Sequence, residues 1–283
     1  MKRLKLYVIS IVALTVILFG CAKNRDTLNY LTVKGSDTMV HLAGSWAEDF
    51  MVINKNADVS VTGGGSGTGI AALLNGTTDV CIASREIKEK EVKQAQEAGI
   101  IPKEIVVARD GIAVVVNPAN PVSVLSVEQL GKIYTGAYSS WKEVGGPDEK
   151  IVVLSRESSS GTYVFFQERV MNKADYSKNA LLMPATSSII QSVSQDKWAI
   201  GYVGLGYALE AGVRVKMLAV KDNEDSQEVM PSVDVVKSGE YPISRPLYFY
   251  TNGEPKGIVK TFIDFCLSAP GQKIVLETGY VPN

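Results

Sequence analysis

Two kinds of apolar segment alternate along the chain after residue 30. Short runs rich in Val and Ile are typical of strands, whereas apolar residues at helical spacing are typical of amphipathic helices. The strand-like runs include NADVSVTG, TDVCIAS, KIVVLS, AIGYVG, VRVKMLAV and RPLYFYTN, and EIVVARDGIAVVVNP predicts two further strands.

The helix-like stretches lie between these runs. They include TGIAALLNG, EIKEKEVKQAQEAG, SVEQLGKIYTG, SGTYVFFQERVM, SSIIQSVSQ, IVKTFIDFCLS and GQKIVLETG. Ser126 stands where an N-cap is needed for the third of these helices. QEVMPSVDVVKSG is helical only in part, because Pro231 opens or kinks it. The alternation predicts an α/β fold with a mixed or parallel sheet.

The first twenty residues differ from the rest. A basic start, MKRLK, precedes an apolar run over residues 6–19 that is short for a membrane span and typical of a secretory signal peptide. The run ends in LFGC, which resembles a bacterial lipoprotein cleavage site; this resemblance makes residues 1–20 the signal peptide and Cys21 the acylated first residue of the mature protein. Residues 21–27 form a polar tether. An uncleaved anchor or a chance cysteine stays the alternative.

Composition excludes several classes of protein. The 283 residues carry a formal net charge of -1, so no basic field points to nucleic acid. The single histidine, His41, makes a His-built metal site improbable and leaves a serine nucleophile without an evident base. Cys81 and Cys266 lie in apolar runs, which favours two buried free thiols over a disulfide, although a disulfide is allowed outside the cytoplasm. No cofactor and no metal are predicted.

Three loops share an unusual composition: KGSDT at 34–38, GGGSGTG at 63–69 and RESSSGT at 156–162. Each is small, rich in hydroxyl groups and placed before a predicted helix, where free N–H groups and the helix dipole favour anions. The glycine loop lacks the Gly-Lys-Ser/Thr ending of a P-loop, the spacing of a dinucleotide fingerprint and the last glycine of a nucleophile elbow. Taken singly, the loops could be a tight turn and ordinary helix caps.

Together these motifs resemble the phosphate-binding proteins of ABC-type phosphate importers. The resemblance covers nearly the whole mature chain and includes KGSDTM, GGGSGTGIAALLNGTTDVCIASR, DGIAVVVNP, RESSSGT and AIGYVG. It implies the two-domain periplasmic-binding-protein fold of type 2 solute-binding proteins, with the ligand cleft between the domains and two crossing strands as a hinge. Domain one is then 28–115 plus 247–283, and domain two is 116–246.

The resemblance also implies the ligand-binding residues. They are Ser36, Asp37, Thr38, Ser66, Gly67, Ser84, Arg85, Arg156, Ser160, Gly161 and Thr162. We expect Arg156 to bind the anion as a bidentate cation. Arg85 stands where better known members have an aspartate that accepts the ligand's proton. Asp37 is therefore the predicted acceptor, and Arg85 supplies compensating positive charge either to the ligand or to Asp37; alternatively Asp37 only caps a helix and Arg85 points to solvent.

The predicted function is high-affinity binding of inorganic phosphate outside the cytoplasmic membrane and its delivery to an ABC importer permease. The protein is expected to be a monomer, not an enzyme, held on the membrane by its lipid anchor and facing the periplasm or the exterior. Three alternatives stay open. They are a binder of sulfate, molybdate or tungstate, a phosphatase or esterase, and an adhesin or signalling receptor that kept the binding fold.

Overall fold

The computed structural model describes residues 29–283, so the predicted signal peptide, Cys21 and the tether lie outside the described residues. Strands β1 to β11 are Asn29–Gly35, Ala57–Thr62, Val80–Ala83, Pro102–Val116, Val124–Ser126, Val152–Arg156, Leu181–Met183, Ala199–Gly204, Lys216–Met217, Ala219–Lys221 and Ser244–Asn252. Helices α1 to α10 are Val40–Ile53, Ser66–Leu74, Glu89–Glu97, Val127–Thr135, Gly161–Arg169, Thr186–Gln195, Leu205–Ala211, Val233–Ser238, Gly257–Leu267 and Ala269–Glu277. Short 3₁₀ helices occupy Asp37–Met39, Trp141–Val144 and Gly212–Arg214.

A mixed sheet runs through both halves of the molecule in the order β2-β1-β3-β11-β4-β8-β6-β7, with β9 also paired to β4. At its two ends β1 pairs in parallel with β2 and β3, and β6 with β7 and β8. In its middle β11 and β4 are antiparallel to each other and to their outer neighbours. The predicted α/β class with a mixed sheet is confirmed.

Two strands carry the chain between the halves. β4 pairs with β11 along its first part and with β8 along its second part. The prediction of two strands within EIVVARDGIAVVVNP is therefore wrong: one strand of 15 residues spans it. The reason is that β4 pairs with β11 up to Gly111 and with β8 from Ile112 onwards. The strand therefore continues without a turn where Arg109 and Asp110 interrupt the apolar run.

The buried apolar side chains form separate cores on the two sides of this crossing. One group of clusters draws its members from residues 31–108 and 247–280. The other group draws its members from residues 112–243 and Val281. The molecule is thus a two-domain α/β protein whose domains meet at β4 and β11.

Local details follow the sequence in most places. Ser126 caps α4 through a reciprocal capping box with Gln129, as predicted. Ser232 caps α8, so that helix begins after Pro231 instead of being kinked by it. VRVKMLAV is not one strand, since β9 and β10 split it. Cys81 and Cys266 are both buried and free. Within residues 29–283, every helix is too short or too polar to cross a bilayer.

Candidate functional site

Loops from both domains converge where the strands end. β1 ends at Gly35, β2 at Thr62 and β6 at Arg156, and each strand leads into one of the three loops that the sequence singled out. In the loop RESSSGT at 156–162, Ser160 Oγ accepts hydrogen bonds from the backbone N–H groups of Thr162 and Tyr163. Ser160 is thus the N-cap of α5, and this cap fixes the direction of the helix towards domain one.

Five buried hydroxyl side chains from both domains form the centre of the site, here named the hydroxyl cluster: Ser36, Thr38, Ser66, Ser84 and Thr162. Ser36 Oγ lies 2.8 Å from Ser84 Oγ, and Ser66 Oγ lies 3.3 Å from the same atom. Across the domains, Thr38 Oγ1 lies 2.8 Å from Thr162 Oγ1. All five residues are at most 2 % exposed. Hydroxyl groups both donate and accept, so this cluster can turn its protons towards a bound oxyanion.

Glycine residues at the interface let the two domains approach this closely. A Cβ at Gly161 would lie 2.3 Å from Ser66 Oγ, and one at Gly65 would lie 2.6 Å from the carbonyl oxygen of Ser159. Gly67, which the resemblance implies as a ligand-binding residue, donates its N–H to the Ser159 carbonyl at 2.9 Å. The glycine loop therefore packs against the backbone of domain two.

Sequence reasoning missed a buried ion pair beside the cluster. Arg245 on β11 and Asp110 on β4 are direct cross-strand partners in the two crossing strands. Arg245 Nη2 donates to Asp110 Oδ2 at 3.1 Å and to Thr162 Oγ1 at 2.9 Å, while Nη1 donates to the Ser84 carbonyl at 2.8 Å. Asp110 Oδ1 accepts the N–H of Leu205 at 3.2 Å. Arg245 is thus the cation that reaches the hydroxyl cluster.

Burial raises the pKa of Asp110, and the Arg245 guanidinium opposes that rise. The two residues are 0 % and 2 % exposed. The sequence signal for this pair was available: a charged residue inside an apolar strand is almost never buried without a partner. The sequence motifs lie in the loops, and Asp110 and Arg245 were therefore predicted only as strand residues.

Arg156 and Asp37 pair with each other across the two domains. Asp37 Oδ2 accepts the N–H and the hydroxyl of Thr186, both at 2.8 Å, and lies 3.2 Å from Arg156 Nη1. The remaining guanidinium donors of Arg156 go to the carbonyl oxygens of Met183 and Pro184. Asp37 belongs to the first loop and Thr186 begins α6 of domain two, so Asp37, Arg156 and Thr186 form an interdomain latch.

Arg85 neither pairs with Asp37 nor points to solvent. Its Nη1 and Nη2 atoms bind the two carboxylate oxygens of Glu91, each at 2.8 Å. Although burial acts in the other direction, this guanidinium lowers the pKa of Glu91. Arg85 is 8 % exposed, and it lines the side of the site without joining the hydroxyl cluster.

The arrangement suits the binding of an anion and not hydrolysis. His41 is about half exposed and pairs with Glu210 at 3.1 Å, so it cannot serve the buried serines as a base. Among residues 29–283, no three His, Cys, Asp or Glu side chains are grouped to hold a metal ion. A cluster of neutral donors with one buried cation can hold an oxyanion without a basic surface around it.

The chain is similar to known proteins that bind anions. The PBP superfamily domain matches residues 22–270. The phosphate-binding protein PstS of Borreliella burgdorferi is 32 % identical over 94 % of this chain and 94 % of its own, and that of Staphylococcus haemolyticus is 35 % identical over 88 % and 80 %. A phosphate ABC transporter substrate-binding protein from Clostridium perfringens, solved with bound phosphate, has a TM-score of 0.80 and 32 % identity over 90 % of this chain and 100 % of its own.

Proposed function

The chain belongs to the PBP superfamily, and we propose that it binds inorganic phosphate between its two domains and delivers it to an ABC importer. The observation that carries the proposal is the hydroxyl cluster, to which both domains contribute and which Arg245 reaches from the hinge. The protein acts by binding alone, as a substrate-binding protein and not as an enzyme.

A phosphate ion that enters a closed site loses its water and needs a protein donor for each lone pair it exposes. Ser36, Thr38, Ser66, Ser84 and Thr162 supply hydroxyl donors, and the Arg245 guanidinium supplies the positive charge. Because one buried cation and many neutral dipoles suffice, a net charge of -1 on the whole chain is no obstacle.

Among tetrahedral oxyanions, phosphate differs by carrying a proton near neutral pH, so a carboxylate beside the site can discriminate it from sulfate. Asp37 is bound in the interdomain latch. Each oxygen of the buried Asp110, by contrast, accepts a single hydrogen bond, from Leu205 or from Arg245, and keeps a lone pair for the ligand's proton; we therefore take Asp110 as the candidate acceptor. A Cβ at Gly204 would lie 2.9 Å from Thr38 Cγ2 and 3.2 Å from both Asp110 oxygens, so this carboxylate borders the cluster. Sulfate, molybdate and tungstate remain the rival ligands.

The cellular setting is also proposed. Cys21, which lies outside the described residues, would carry the lipid anchor, and residues 29–283 would face the periplasm or the exterior. The match to substrate-binding proteins of ABC transporters supports a permease as the partner. We propose a monomer with domain one at 28–115 plus 247–283 and domain two at 116–246, a division that the two groups of core clusters support.

The test is calorimetric titration with phosphate, sulfate and molybdate. Arg245→Lys keeps the positive charge near Asp110 but loses the fork that reaches Thr162 and Ser84 together. Loss of such a buried charged contact costs about 2–5 kcal/mol, roughly thirtyfold to several thousandfold in phosphate affinity. Arg169→Gln, which breaks an exposed pair with Asp222, is the matched control and should bind as the wild type does.

Two results would contradict the proposal. Tighter binding of sulfate or molybdate than of phosphate by the wild type would replace the ligand. Unchanged phosphate affinity in Arg245→Lys, with an unchanged thermal melt, would remove Arg245 from the site. Asp110→Asn adds a selectivity test: the preference for phosphate over sulfate should shrink, and an unchanged preference would exclude Asp110 as the acceptor.

A further inference from the structure

Helix α7 of domain two lies along the seam between the domains. It begins at Leu205, directly after β8, and the Leu205 N–H binds the buried Asp110 of the hinge at 3.2 Å. Glu210, in the last turn of the helix, is exposed and pairs with His41 of α1 at 3.1 Å. The helix therefore extends from the hinge to the molecular surface, with domain one beside it.

Tyr207 is the residue of α7 that reaches the candidate site. Its hydroxyl donates to the main-chain carbonyl oxygen of Asp37 at 3.1 Å, from domain two to domain one. Burial, together with the negative charges of Asp37 and Glu210, raises the pKa of Tyr207, so the hydroxyl keeps its proton and remains a donor. The phenol ring lies edge-on to the His41 ring, with the centroids 6.3 Å apart.

Domain two thus binds Asp37 in two independent ways. The Asp37 carboxylate belongs to the interdomain latch, with Thr186 and Arg156. The Asp37 carbonyl is bound by Tyr207, which comes from a different helix. Since one contact uses the side chain and the other the main chain, each can be removed by a substitution that leaves the other in place.

The Tyr207 contact bears directly on the hydroxyl cluster. Asp37 lies between Ser36 and Thr38, whose hydroxyl groups belong to the cluster. The Thr38 carbonyl accepts the hydroxyl of Tyr280, which fixes the loop at 34–38 within domain one. Tyr207 adds a second fixed point to the same loop from domain two, so the two cluster hydroxyl groups are held on both sides once the domains have closed.

We propose that Tyr207 is a positioning residue for phosphate binding, whose hydroxyl joins α7 to the loop at 34–38 when the domains close and so prolongs the phosphate-bound state. The proposal rests on the proposed function, because it takes phosphate as the ligand of the cluster. Tyr207 acts through Asp37 and the hydroxyl groups beside it. The pair of His41 and Glu210 at the surface adds little, since both side chains are about half exposed and solvent screens their charges.

A contact that forms after phosphate has entered affects the two rate constants unequally. Phosphate meets the open domains before the Tyr207 bond exists, so association does not depend on that bond. Dissociation requires the domains to reopen, and reopening breaks it. Tyr207→Phe removes the hydroxyl and keeps the ring. The loss of one neutral hydrogen bond should raise the dissociation rate constant and Kd by the same factor, roughly twofold to tenfold, and leave association unchanged.

The experiment uses the full chain loaded with radiolabelled phosphate. Dissociation is followed by rapid filtration after a chase with excess unlabelled phosphate, Kd is measured by equilibrium dialysis, and their ratio gives the association rate constant. Tyr138→Phe is the matched control, because the Tyr138 hydroxyl bonds only to Lys132 of its own domain among the described residues. The control should bind and release phosphate as the wild type does. Thermal melts without phosphate should be unchanged in Tyr207→Phe.

The outcomes separate the role of Tyr207 from the proposed function. Faster dissociation with a matching rise in Kd and an unchanged melt supports the role. Wild-type rates in Tyr207→Phe, or a weaker Kd that arises from slower association alone, would overturn it while leaving phosphate binding intact. A lower melting temperature without phosphate would show that the bond already stabilises the open form, and would overturn it as well. A wild-type chain that retains no labelled phosphate would overturn the proposed function, and the role of Tyr207 with it.

Discussion

Replacing Gly161 with alanine tests the closed site with a single methyl group. The new Cβ would lie 2.3 Å from Ser66 Oγ and 2.6 Å from Ser84 Oγ, more than half an ångström inside ordinary contact in both cases. Both serines belong to domain one and Gly161 begins α5 of domain two. The clash therefore exists only when the domains are closed, and we expect the variant to fold normally but to close poorly.

The expected loss of phosphate affinity follows from the interdomain hydrogen bonds that must lengthen when the domains open. Opening the domains enough to admit the methyl group stretches the Thr38–Thr162 hydroxyl contact of 2.8 Å and the Gly67–Ser159 backbone bond of 2.9 Å. Two hydrogen bonds at about 1 kcal/mol each, together with up to about 2 kcal/mol of overpacking strain that opening does not relieve, give about 2–4 kcal/mol. That corresponds to roughly thirtyfold to a thousandfold weaker phosphate binding.

The assay is calorimetric titration with phosphate, paired with a thermal melt without ligand. Gly44→Ala is the matched control, because a Cβ at this helical glycine would meet nothing within 4 Å. It should keep the wild-type Kd and raise the melting temperature slightly, since alanine is favoured over glycine in a helix by about 1 kcal/mol. Wild-type phosphate affinity in Gly161→Ala would refute the idea that phosphate is held with the cluster closed.

Three further predictions follow from the latch, the anchor and the hinge. Asp37→Asn should weaken phosphate binding by about tenfold, or 1.4 kcal/mol, because the carboxylate joins the domains through Thr186 and Arg156. The preference for phosphate over sulfate should stay unchanged, and a titration that shows a reduced preference would identify Asp37 as the proton acceptor. Cys21→Ser should release the protein from membranes of a bacterial host, and equal fractionation of mutant and wild type would exclude lipidation. Small-angle scattering should show a smaller radius of gyration with phosphate, whereas identical curves would indicate a preclosed receptor.

The sequence predicted the elements well where local chemistry alone decides them. Ser126 marks a helix start in the sequence, and the structure begins α4 at the next residue. It failed on β4, because a strand's length depends on which neighbours continue the ladder, and those neighbours are more than 80 residues away along the chain. Pairing partners of that kind leave no local signal at residue 110.

The loops of the site were predicted, but the partners of their charged side chains were not. Ser36, Ser66, Ser84 and Thr162 converge because strand ends meet at one edge, a rule that the sequence pattern can use. The partner of Arg156 could not be found in this way, because Thr186 reaches it only through the packing of α6 on domain two. Motif reasoning therefore assigned Arg156 to the anion, whereas its donors serve the latch.

The two arginines of the candidate site have different partners, and the proposed function gives them different roles. A cation fixed in the loops would hold the anion to one domain only. Arg245 lies instead on a crossing strand, donates to Ser84 of domain one and Thr162 of domain two, and is held by Asp110 on the other crossing strand. In the proposed function, an anion bound by Arg245 would therefore act on both domains and on the hinge at once, whereas Arg156 would stabilise only the closed form, through Asp37 and Thr186. Substitutions in the latch should therefore weaken phosphate binding through domain closure and leave the preference over sulfate unchanged, whereas substitution of Arg245 should also remove a contact to the anion.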